Sequence, residues 1–438
     1  MAYHLYLQTP GEKRRPPKGL DAAVHLTPGG PEGLVLHHNL ERVYATPRQP
    51  AAAAQAFLLA ALAVWAGDKL LPRRAAADAW ARELVLHLPT TSPWSPLAPR
   101  LAALLGFLTG DTWTLKLREA PVDLGFKAPW PHPWLPEAVV LFSGGLDSLA
   151  GALDLLAAGK RLLLVSHYDY GQLAGTQQTL AAALIRRFGP EQVSHLPLRV
   201  QLEGPELTLR SRSLLYLALG LAAAQAFAPG TPLIMPENGW ISLNPPLTLN
   251  RLGTYSTRTT HPHFLAGLTS LWQAMGLKQP VLNPYEGLPK GEVLARCRDR
   301  ALLQELAPLS VSCARPVASR WRRQAPGACG CCYPCLLRRA ALNPLGWDRG
   351  KDYLVDVLAA PEHLSHPTRG RDLRALLLAL KTWQEAPREL EARLWLGETA
   401  QEAAQLYPRA RTVLTAGFRE LAQFFADKGP EWVKNYLA

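Results

Sequence analysis

The chain has 438 residues, enough for two or three domains that each bury a hydrophobic core. Its content of 48% apolar and 19% charged residues excludes a largely disordered protein, and six cysteines are too few for a disulfide-stabilised scaffold. The net charge of +12 favours an anionic ligand, such as a nucleotide or nucleic acid, or an acidic partner. A solvated basic surface would produce the same charge, so the charge alone does not decide.

Neither the first residues of the chain nor its apolar runs suggest export or membrane insertion. The first residues, MAYHLYLQTPGEKRRPPKGL, have no apolar stretch after their charges and therefore do not resemble a signal peptide. The most apolar runs, residues 51–66 and 214–228, are shorter than a membrane span and rich in alanine, so we expect two buried helices. Together with the sparse cysteines, these features predict a cytoplasmic protein that does not enter a membrane.

Strand and helix patterns are mixed over residues 1–127, where we expect an accessory α+β domain. Residues 128–136, APWPHPWLP, contain prolines that remove backbone donors, so this segment can be neither helix nor inner strand, and we interpret it as a linker. Strand patterns before the linker cover residues 3–8 and 112–117, and helical patterns cover residues 51–71, 74–87 and 96–108.

Short apolar runs alternate with helical patterns over residues 137–345. This alternation predicts a doubly wound α/β domain, with a parallel sheet covered by helices on both faces. Residues 346–438 have helical patterns and form a predicted helical C-terminal extension without a chemical motif. The predicted strands are residues 137–142, 161–166, 193–200, 232–235 and 280–283, and the helices are residues 148–158, 174–188, 211–227, 263–275 and 290–306.

The first strand of the middle domain leads into SGGLDS, residues 143–148, and then into a helix. Gly144 and Gly145 let the backbone approach a phosphate closely, and the start of the helix directs free amide donors at an anion. Ser143 and Ser148 add hydroxyl donors, whereas Asp147 either caps the helix or holds magnesium. The segment indicates a phosphate-binding loop, although a plain strand–turn–helix connection would also accommodate these residues.

The loop resembles the S-G-G-x-D-S signature of the PP-loop ATP pyrophosphatases. Members of that family have a doubly wound α/β fold, cleave ATP between its α- and β-phosphates and adenylate their substrate. The resemblance implies that residues 143–148 hold the pyrophosphate of ATP and its Mg²⁺ through Ser143, Gly144, Gly145, Asp147 and Ser148. It also implies that Asp147 and Ser148 take part in catalysis.

Three further segments resemble the 7-cyano-7-deazaguanine synthases of this family. HYDYGQ resembles their F-x-Y-G-Q element, which implies that Tyr170 and Gln172 bind the nucleotide. LPKGEVL resembles their Lys-x-Glu element, which implies a catalytic role for Lys290. The cysteine-rich segment resembles their zinc site, and the three segments follow in the expected order within residues 137–345, about half of the chain.

These synthases activate the carboxylate of 7-carboxy-7-deazaguanine with ATP and use ammonia to form an amide and then the nitrile. This chain is longer, and its residues 237–263 differ from the usual substrate segment. In this it resembles the longer synthase-like proteins of the Qat system and type IV CBASS in bacterial anti-phage defence. That resemblance implies conjugation of a deazaguanine carboxylate to the N-terminal amine of a partner protein. We expect the flanking regions to dock this acceptor, because the nucleotide chemistry is complete without them.

Residues 237–263 follow a predicted strand at the sheet edge where doubly wound folds bind ligands. Their side chains can recognise a purine edge or a carboxylate, and glutamate is a natural partner for the N–H donors of a guanine-like base. A long polar surface loop is the alternative interpretation. Candidate substrate residues are Glu237, Asn238, Arg258 and Thr259, together with Arg210 and Arg212, which the sequence does not rank.

Four of the six cysteines lie in CGCCYPC, residues 329–335. Cys329, Cys332 and Cys335 have the spacing to surround one tetrahedral ion, for which Cys313 is the natural fourth ligand. Cys331 would then point away from the metal. An iron–sulfur cluster and a redox-active dithiol are alternatives, whereas the family resemblance favours structural zinc.

The leading hypothesis is an ATP-dependent, AMP-forming ligase or synthase for a 7-deazaguanine carboxylate, with nitrile formation or conjugation to a protein as the outcome. One alternative is a PP-loop enzyme that modifies tRNA, although no aromatic–basic RNA-binding module is evident. Another is an inactive PP-loop subunit of a defence complex, against which the intact residues 143–148 argue. A homodimer is compatible with the sequence.

Overall fold

The computed structural model describes residues 2–26, 34–45, 50–90, 94–206, 208, 210–228, 230–248, 258–315, 327–394 and 400–438. The strands are β1 (Tyr3–Gln8), β2 (Ala22–His25), β3 (Leu34–Val35), β4 (His37–His38), β5 (Glu83–Thr90), β6 (Thr112–Glu119), β7 (Ala138–Leu141), β8 (Leu162–Tyr168), β9 (Val193–Gln201), β10 (Leu233–Ile234) and β11 (Val281–Leu282). The helices are α1 (Ala52–Leu70), α2 (Ala98–Thr109), α3 (Leu146–Ala157), α4 (Gly171–Phe188), α5 (Arg212–Gln225), α6 (Gly239–Leu243), α7 (Pro262–Ala274), α8 (Lys290–Ala295), α9 (Arg300–Leu306), α10 (Tyr333–Leu342), α11 (Glu362–Ser365), α12 (Arg371–Glu385), α13 (Pro387–Leu394), α14 (Ala400–Lys428) and α15 (Glu431–Leu437).

The larger sheet has the strand order β11-β10-β7-β8-β9-β4. Strands β7 to β11 are parallel, and β4 from the N-terminal region pairs antiparallel with β9, with His38 opposite Val200. The chain passes from β7 through β8 to β9 on one side and then returns to β10 on the other side of β7. The strand order therefore reverses between β7 and β10, and such a reversal opens a crevice at the carboxyl edge of a sheet.

Helices cover both faces of this sheet, which confirms the predicted doubly wound α/β fold. On one face, Val140 of β7 lies in the same buried cluster as Leu149 of α3 and Leu184 of α4. On the other face, Val139 of β7 lies in a second cluster that contains Leu217 of α5. Alternate residues of one strand thus point to opposite helical layers, as burial on both faces requires.

The first 127 residues contain a second parallel sheet with the strand order β3-β2-β1-β5-β6. Helix α1 lies between the two sheets and packs against both β5 and α5. One hydrophobic cluster therefore extends from Leu7 of β1 through Trp65 of α1 to Val139 of β7. A separate accessory domain over residues 1–127 remains a prediction, and its hydrophobic core is continuous with that of the larger sheet.

Helix α1 is, among the described residues, the one helix whose length and composition would suffice to cross a membrane. It has 19 residues and is longer than the apolar run suggested, so its length does not exclude a span. Its burial is informative, because 78% of its most apolar window lies inside the protein. This is the position of a core helix between two sheets.

The helix predicted over residues 74–87 is wrong, because residues 83–90 form strand β5. Leu84, Leu86 and Leu88 alternate with period two, which is the strand pattern. Strand β5 lies between β1 and β6 and buries most of its residues on both faces. The added apolar residue Val85 hides the alternation in the sequence.

The single helix predicted over residues 290–306 is divided into α8 and α9. Asp299 begins the second helix, because its side chain accepts the backbone N–H of Leu302 at 3.0 Å. Cys297 therefore lies in the turn between the two helices, where it is buried with 4% of its surface exposed.

Residues 128–136 form neither helix nor strand apart from an isolated bridge between Ala128 and Tyr44. The ring of Trp130 packs edge-on against Phe227 at 4.9 Å, and the indole N–H of Trp134 donates to the carbonyl of Pro190 at 3.0 Å. The proline-rich segment is thus packed onto the larger sheet domain.

The helical C-terminal extension is confirmed. Helices α12 and α14 pack on α10, and α14 also contacts α6 and α8. The ring of Phe418 in α14 lies 4.7 Å from Trp240 of α6 and 4.9 Å from Trp383 of α12. The extension therefore lies directly against elements that follow β10 and β11.

A substitution at the seam between α5 and the larger sheet tests this packing. A Cβ atom at Gly220 would lie 2.6 Å from Leu233 and 2.7 Å from Leu141, both in buried strands. We expect Gly220→Val to lower the free energy of unfolding by about 1–3 kcal/mol through overpacking, measured by urea denaturation.

The matched control is Gly175→Ala in helix α4, where an added Cβ meets nothing within 4 Å. Since alanine is the better helix former, this change should leave stability unchanged or raise it by up to about 1 kcal/mol. Equal effects of the two substitutions would contradict the packing described here.

Candidate active site

Residues 143–148 comprise the turn that connects β7 to α3 and the first three residues of α3. Gly144 has a φ of +80°, and a Cβ atom there would lie 3.2 Å from the Gln177 side chain, so both conformation and space favour glycine. The Ser143 hydroxyl accepts the backbone N–H of Gly145 at 3.2 Å and lies 3.2 Å from the Ser148 hydroxyl. The turn thereby brings two hydroxyl groups to the positive end of α3, which suits an anion.

The turn opens onto a cavity of about 330 Å³ at the edge where the strand order reverses. Doubly wound folds bind their ligands at this position, and the volume is that of a small-molecule site. Segments far apart in the chain supply its walls. The predicted residues that line the cavity are Ser143, Gly145, Asp147, Ser148, Tyr170, Arg212, Glu237, Thr259 and Lys290.

Asp147 lies on the cavity wall with 5% of its surface exposed. The ammonium group of Lys290 donates to its Oδ1 at 2.5 Å, and the amide of Asn238 donates to its Oδ2 at 2.7 Å. Burial raises the pKa of Asp147, but the Lys290 charge and these hydrogen bonds outweigh burial and keep the pKa below its ordinary value. Asp147 is therefore ionised at neutral pH.

The Asn238 side chain has a defined orientation, because both ends of its amide are bonded. Its Oδ1 accepts the backbone N–H of Ile241 at 3.1 Å and so caps α6, while its Nδ2 donates to Asp147. Asn238 lies behind the cavity wall and positions Asp147. Gly144 likewise shapes the turn from behind the lining residues.

Glu237 lies beside Asp147, with the Asn238 amide 3.3 Å from its Oε1. Burial and the adjacent negative charge of Asp147 raise the pKa of Glu237 well above its ordinary value. Two neighbouring carboxyl groups served by one lysine are a donor set that fits Mg²⁺, because a divalent cation would allow both to ionise.

Arg212 and Ser213 are the first residues of α5, and both line the cavity. Within the part of the chain that the structure describes, Arg212 Nε and Ser213 Oγ are buried without a hydrogen-bond partner. Leaving buried donors unpaired is costly, so these two groups fit an anionic ligand that supplies the acceptors.

Besides Asn238 and Gly144, three more of the predicted nucleotide- and substrate-binding residues do not line this cavity. Arg210 donates to the carbonyl of Thr109 at 2.8 Å, and Arg258 donates to the carbonyl of Phe107 at 3.1 Å. Gln172 lines a separate cavity of about 590 Å³ beside residues 307–311. Residues 249–257 of the predicted substrate segment lie outside the described residues.

Sequence reasoning missed Ser213, Tyr216 and Ser312, which also line the cavity. The Ser312 hydroxyl accepts the backbone N–H of Leu146 at 3.1 Å and thereby joins the first turn of α3 to the cysteine segment. The one sequence signal for Ser312 is its place directly before Cys313. Tyr216 falls one helical turn after Arg212, which indicates a shared face once the start of α5 is known.

The sulfur atoms of Cys313, Cys329, Cys332 and Cys335 all lie within 4.8 Å of one another. Four thiolates at about 2.3 Å from a tetrahedral zinc ion would be about 3.8 Å apart. The Cys313–Cys332 distance is 3.8 Å and the Cys329–Cys335 distance is 3.9 Å, so the group fits a single ion. An iron–sulfur cluster places several atoms between its ligand sulfurs and requires wider spacing.

The group of four cysteines lies beside the cavity, since Cys313 belongs to both. Cys335 is in the first turn of α10, so a bound ion would tie this helix to the segment around Ser312. Cys331 is buried and its sulfur lies 3.8 Å from that of Cys329, but it is outside the group of four.

Two serine substitutions distinguish Cys332, a predicted metal ligand, from the adjacent Cys331. We expect Cys332→Ser to lose the bound metal, because it removes a thiolate from the group of four. Cys331→Ser should retain the metal. Elemental analysis of the purified variants measures both, and metal loss in the Cys331 variant would show that the assignment of ligands is wrong.

Comparison with known proteins gives a match over about half of the chain. The chain is 31% identical over 248 residues to a 7-cyano-7-deazaguanine synthase of Novosphingobium aromaticivorans, a match that covers 51% of this chain and 97% of that protein. No family model and no solved structure matches the chain. Since nearly the whole of the synthase is matched at this identity, the chain belongs to the 7-cyano-7-deazaguanine synthase family.

Proposed function

We propose that this protein is an ATP-dependent, AMP-forming enzyme that activates the carboxylate of a 7-deazaguanine such as 7-carboxy-7-deazaguanine. The observation that carries the proposal is the composition of one cavity. It combines the phosphate-binding turn, the ionised Asp147 and the unpaired buried donors of Arg212 and Ser213. The synthase relative supports the class of substrate.

The turn at residues 143–148 is suited to hold the pyrophosphate end of ATP. The N-terminal end of α3 attracts its negative charge, and the hydroxyls of Ser143 and Ser148 supply further donors. Asp147 and Glu237 would hold Mg²⁺, which supplies positive charge for the phosphates when bound. Lys290 keeps Asp147 ionised and adds a cation to the same wall.

The proposed reaction forms one bond and breaks one bond in each of two steps. A carboxylate oxygen of the substrate attacks the α-phosphorus, and the bond to the bridging oxygen of pyrophosphate breaks, which leaves an acyl adenylate. An amine then attacks the acyl carbon, AMP departs with the former carboxylate oxygen, and the nitrogen releases one proton to solvent. Arg212 and Ser213 orient the anionic group of the substrate by hydrogen bonds. Their donors, Nε and Oγ, have no hydrogen-bond partner among the described residues.

With ammonia as the amine the product is an amide, and a second ATP must activate the amide oxygen, which leaves with AMP, to give the nitrile. With the N-terminus of a partner protein as the amine, the product is a conjugate. We propose conjugation in anti-phage defence, in the cytoplasm, because about half of the chain lies outside the match to the synthase. Structural zinc at the four cysteines is part of this proposal. The net charge of +12 is the one observation that favours a tRNA-modifying enzyme instead.

AMP and pyrophosphate should be released from ATP only when 7-carboxy-7-deazaguanine is present, as measured by chromatography of the nucleotides. Asp147→Ala should lower the rate at least about 100-fold, because it removes the charge that organises the cavity, without unfolding the protein. Release that depends on tRNA, or no release by the native protein, would contradict the proposed function.

Arg212→Ala should lower kcat/KM for AMP release by about 10–100-fold, since it removes a charged hydrogen-bond donor to the substrate. Arg187→Ala is the matched control, because Arg187 is an exposed arginine of α4 away from the cavity. An unchanged kcat/KM in the Arg212 variant would remove Arg212 from the site.

A further inference from the structure

The two cations of the cavity share an unusual position, because each is the first residue of a helix. Arg212 begins α5 and Lys290 begins α8. The N-terminal end of a helix carries partial positive charge, so a cation there is unfavourable without a nearby anion. Neither helix receives a side-chain cap from its own N-cap residue, and α5 has no acidic residue in its first turn.

At α5 the anion is Asp68, which comes from helix α1 of the N-terminal region and is fully buried. Its Oδ2 accepts the hydroxyl of Ser211 at 2.8 Å and the backbone N–H of Ser211 at 3.3 Å. Ser211 directly precedes Arg212 and is the N-cap residue of α5. Asp68 thus fixes the position of Ser211, the residue directly before Arg212 and Ser213, which line the cavity.

A buried ion network keeps Asp68 in place. Arg73 and Arg82 each lie 2.9 Å from its Oδ1 and 2.8 Å from Asp111. Burial raises the pKa of Asp68, but the charges of the two arginines outweigh burial and lower the pKa. Arg73 also contacts the segment between β9 and α5, because the Glu206 carboxylate accepts the backbone N–H of Arg73 at 2.7 Å.

At α8 the anion is Glu420, which comes from helix α14 of the C-terminal extension. Its carboxylate accepts the backbone N–H of Gly291 at 3.1 Å, one residue after Lys290. A Cβ atom at position 291 would lie 2.5 Å from Glu420 Oε1, so glycine leaves room for this close approach of the carboxylate. Gly417 of the same helix abuts the ring of Trp240 in α6, the helix that Asn238 caps.

We propose that Asp68 and Glu420 are positioning residues of the active site. Asp68 fixes the start of α5 and thereby orients Arg212, and Glu420 fixes the start of α8 and thereby directs Lys290 to Asp147. This inference rests on the proposed function and adds residues to its site. Both carboxylates lie outside residues 137–345, so the flanking regions form part of the active-site framework, in contrast to the expectation that they serve only to dock an acceptor.

Isosteric substitutions test the proposal in the full-length protein. Asp68→Asn and Glu420→Gln remove the charge but keep the size of the side chain and an acceptor oxygen. Matched controls are Asp21→Asn, an exposed carboxylate that accepts the backbone N–H of His4, and Glu431→Gln, an exposed carboxylate in the first turn of α15. Burial raises the pKa of Glu420 to about 7, so assays at about pH 8 keep its carboxylate mostly ionised.

We expect about a tenfold loss of kcat/KM for AMP release in each of the two variants and no loss in the controls. A double-mutant cycle separates positioning from general destabilisation. Asp68→Asn should have little further effect in an Arg212→Ala background, and Glu420→Gln should have little further effect in a Lys290→Met background. If Asp68→Asn does not fold, Ser211→Ala removes the 2.8 Å hydrogen bond and leaves the ion network intact.

Full activity of the folded variants, or losses that simply add to those of Arg212→Ala and Lys290→Met, would overturn the proposal. Calorimetric measurement of inorganic pyrophosphate binding distinguishes failure of the positioning proposal from failure of the proposed function. If the native protein binds pyrophosphate but releases no AMP, the proposed function fails, and about tenfold weaker pyrophosphate binding by Glu420→Gln would still support positioning. Equal pyrophosphate binding by Glu420→Gln and the native protein, or no binding by the native protein, would overturn the proposed positioning role.

Discussion

A buried carboxylate needs compensating partners, and Asp147 obtains them from two helices that lie far from it in the chain. Lys290 at the start of α8 and Asn238 at the cap of α6 bond its two oxygens. Removal of one partner of a buried ion pair typically costs about 3–5 kcal/mol, because the remaining charge is left uncompensated. The position of Asp147 at the phosphate-binding turn therefore depends on the placement of α6 and α8, and through them on the elements packed behind.

The C-terminal extension lies behind both of these helices. Helix α14 contacts α6 through Trp240 and α8 through Glu420, so one element supports both partners of Asp147. The N-terminal region has the same relation to α5, because α1 packs along α5 and Asp68 holds its first turn. A core continuous between the two sheets joins the N-terminal region to the larger sheet, whereas the C-terminal extension packs against α6 and the cysteine segment through a separate hydrophobic cluster.

Residues close in sequence were the easiest to predict. The arrangement of residues 143–148 and of the cysteines in residues 329–335 can be predicted locally, since short separations in sequence limit how the side chains can be arranged. The alternation of strands and helices predicted the doubly wound fold for the same reason. Strand β5 was mistaken for helix because burial on both faces adds Val85 to an alternating pattern.

Residues whose role depends on distant contacts were not predictable. Arg210 and Arg212 are two positions apart, and only the start of α5 at Arg212 decides which of them faces the cavity. The partner of Arg210 is the carbonyl of Thr109, roughly a hundred positions earlier in the chain. Asp68 and Glu420 carry no local motif, because each acts on the first turn of a helix in another region.

The most direct test of the account is the fate of a carboxylate oxygen. The native protein is incubated with ATP, an amine donor and 7-carboxy-7-deazaguanine labelled with ¹⁸O in its carboxylate, and the AMP is analysed by mass spectrometry. Attack of the carboxylate on the α-phosphorus predicts that AMP acquires one ¹⁸O atom when the amine displaces it. Unlabelled AMP formed in the same reaction would contradict an acyl adenylate and with it the function proposed for the cavity.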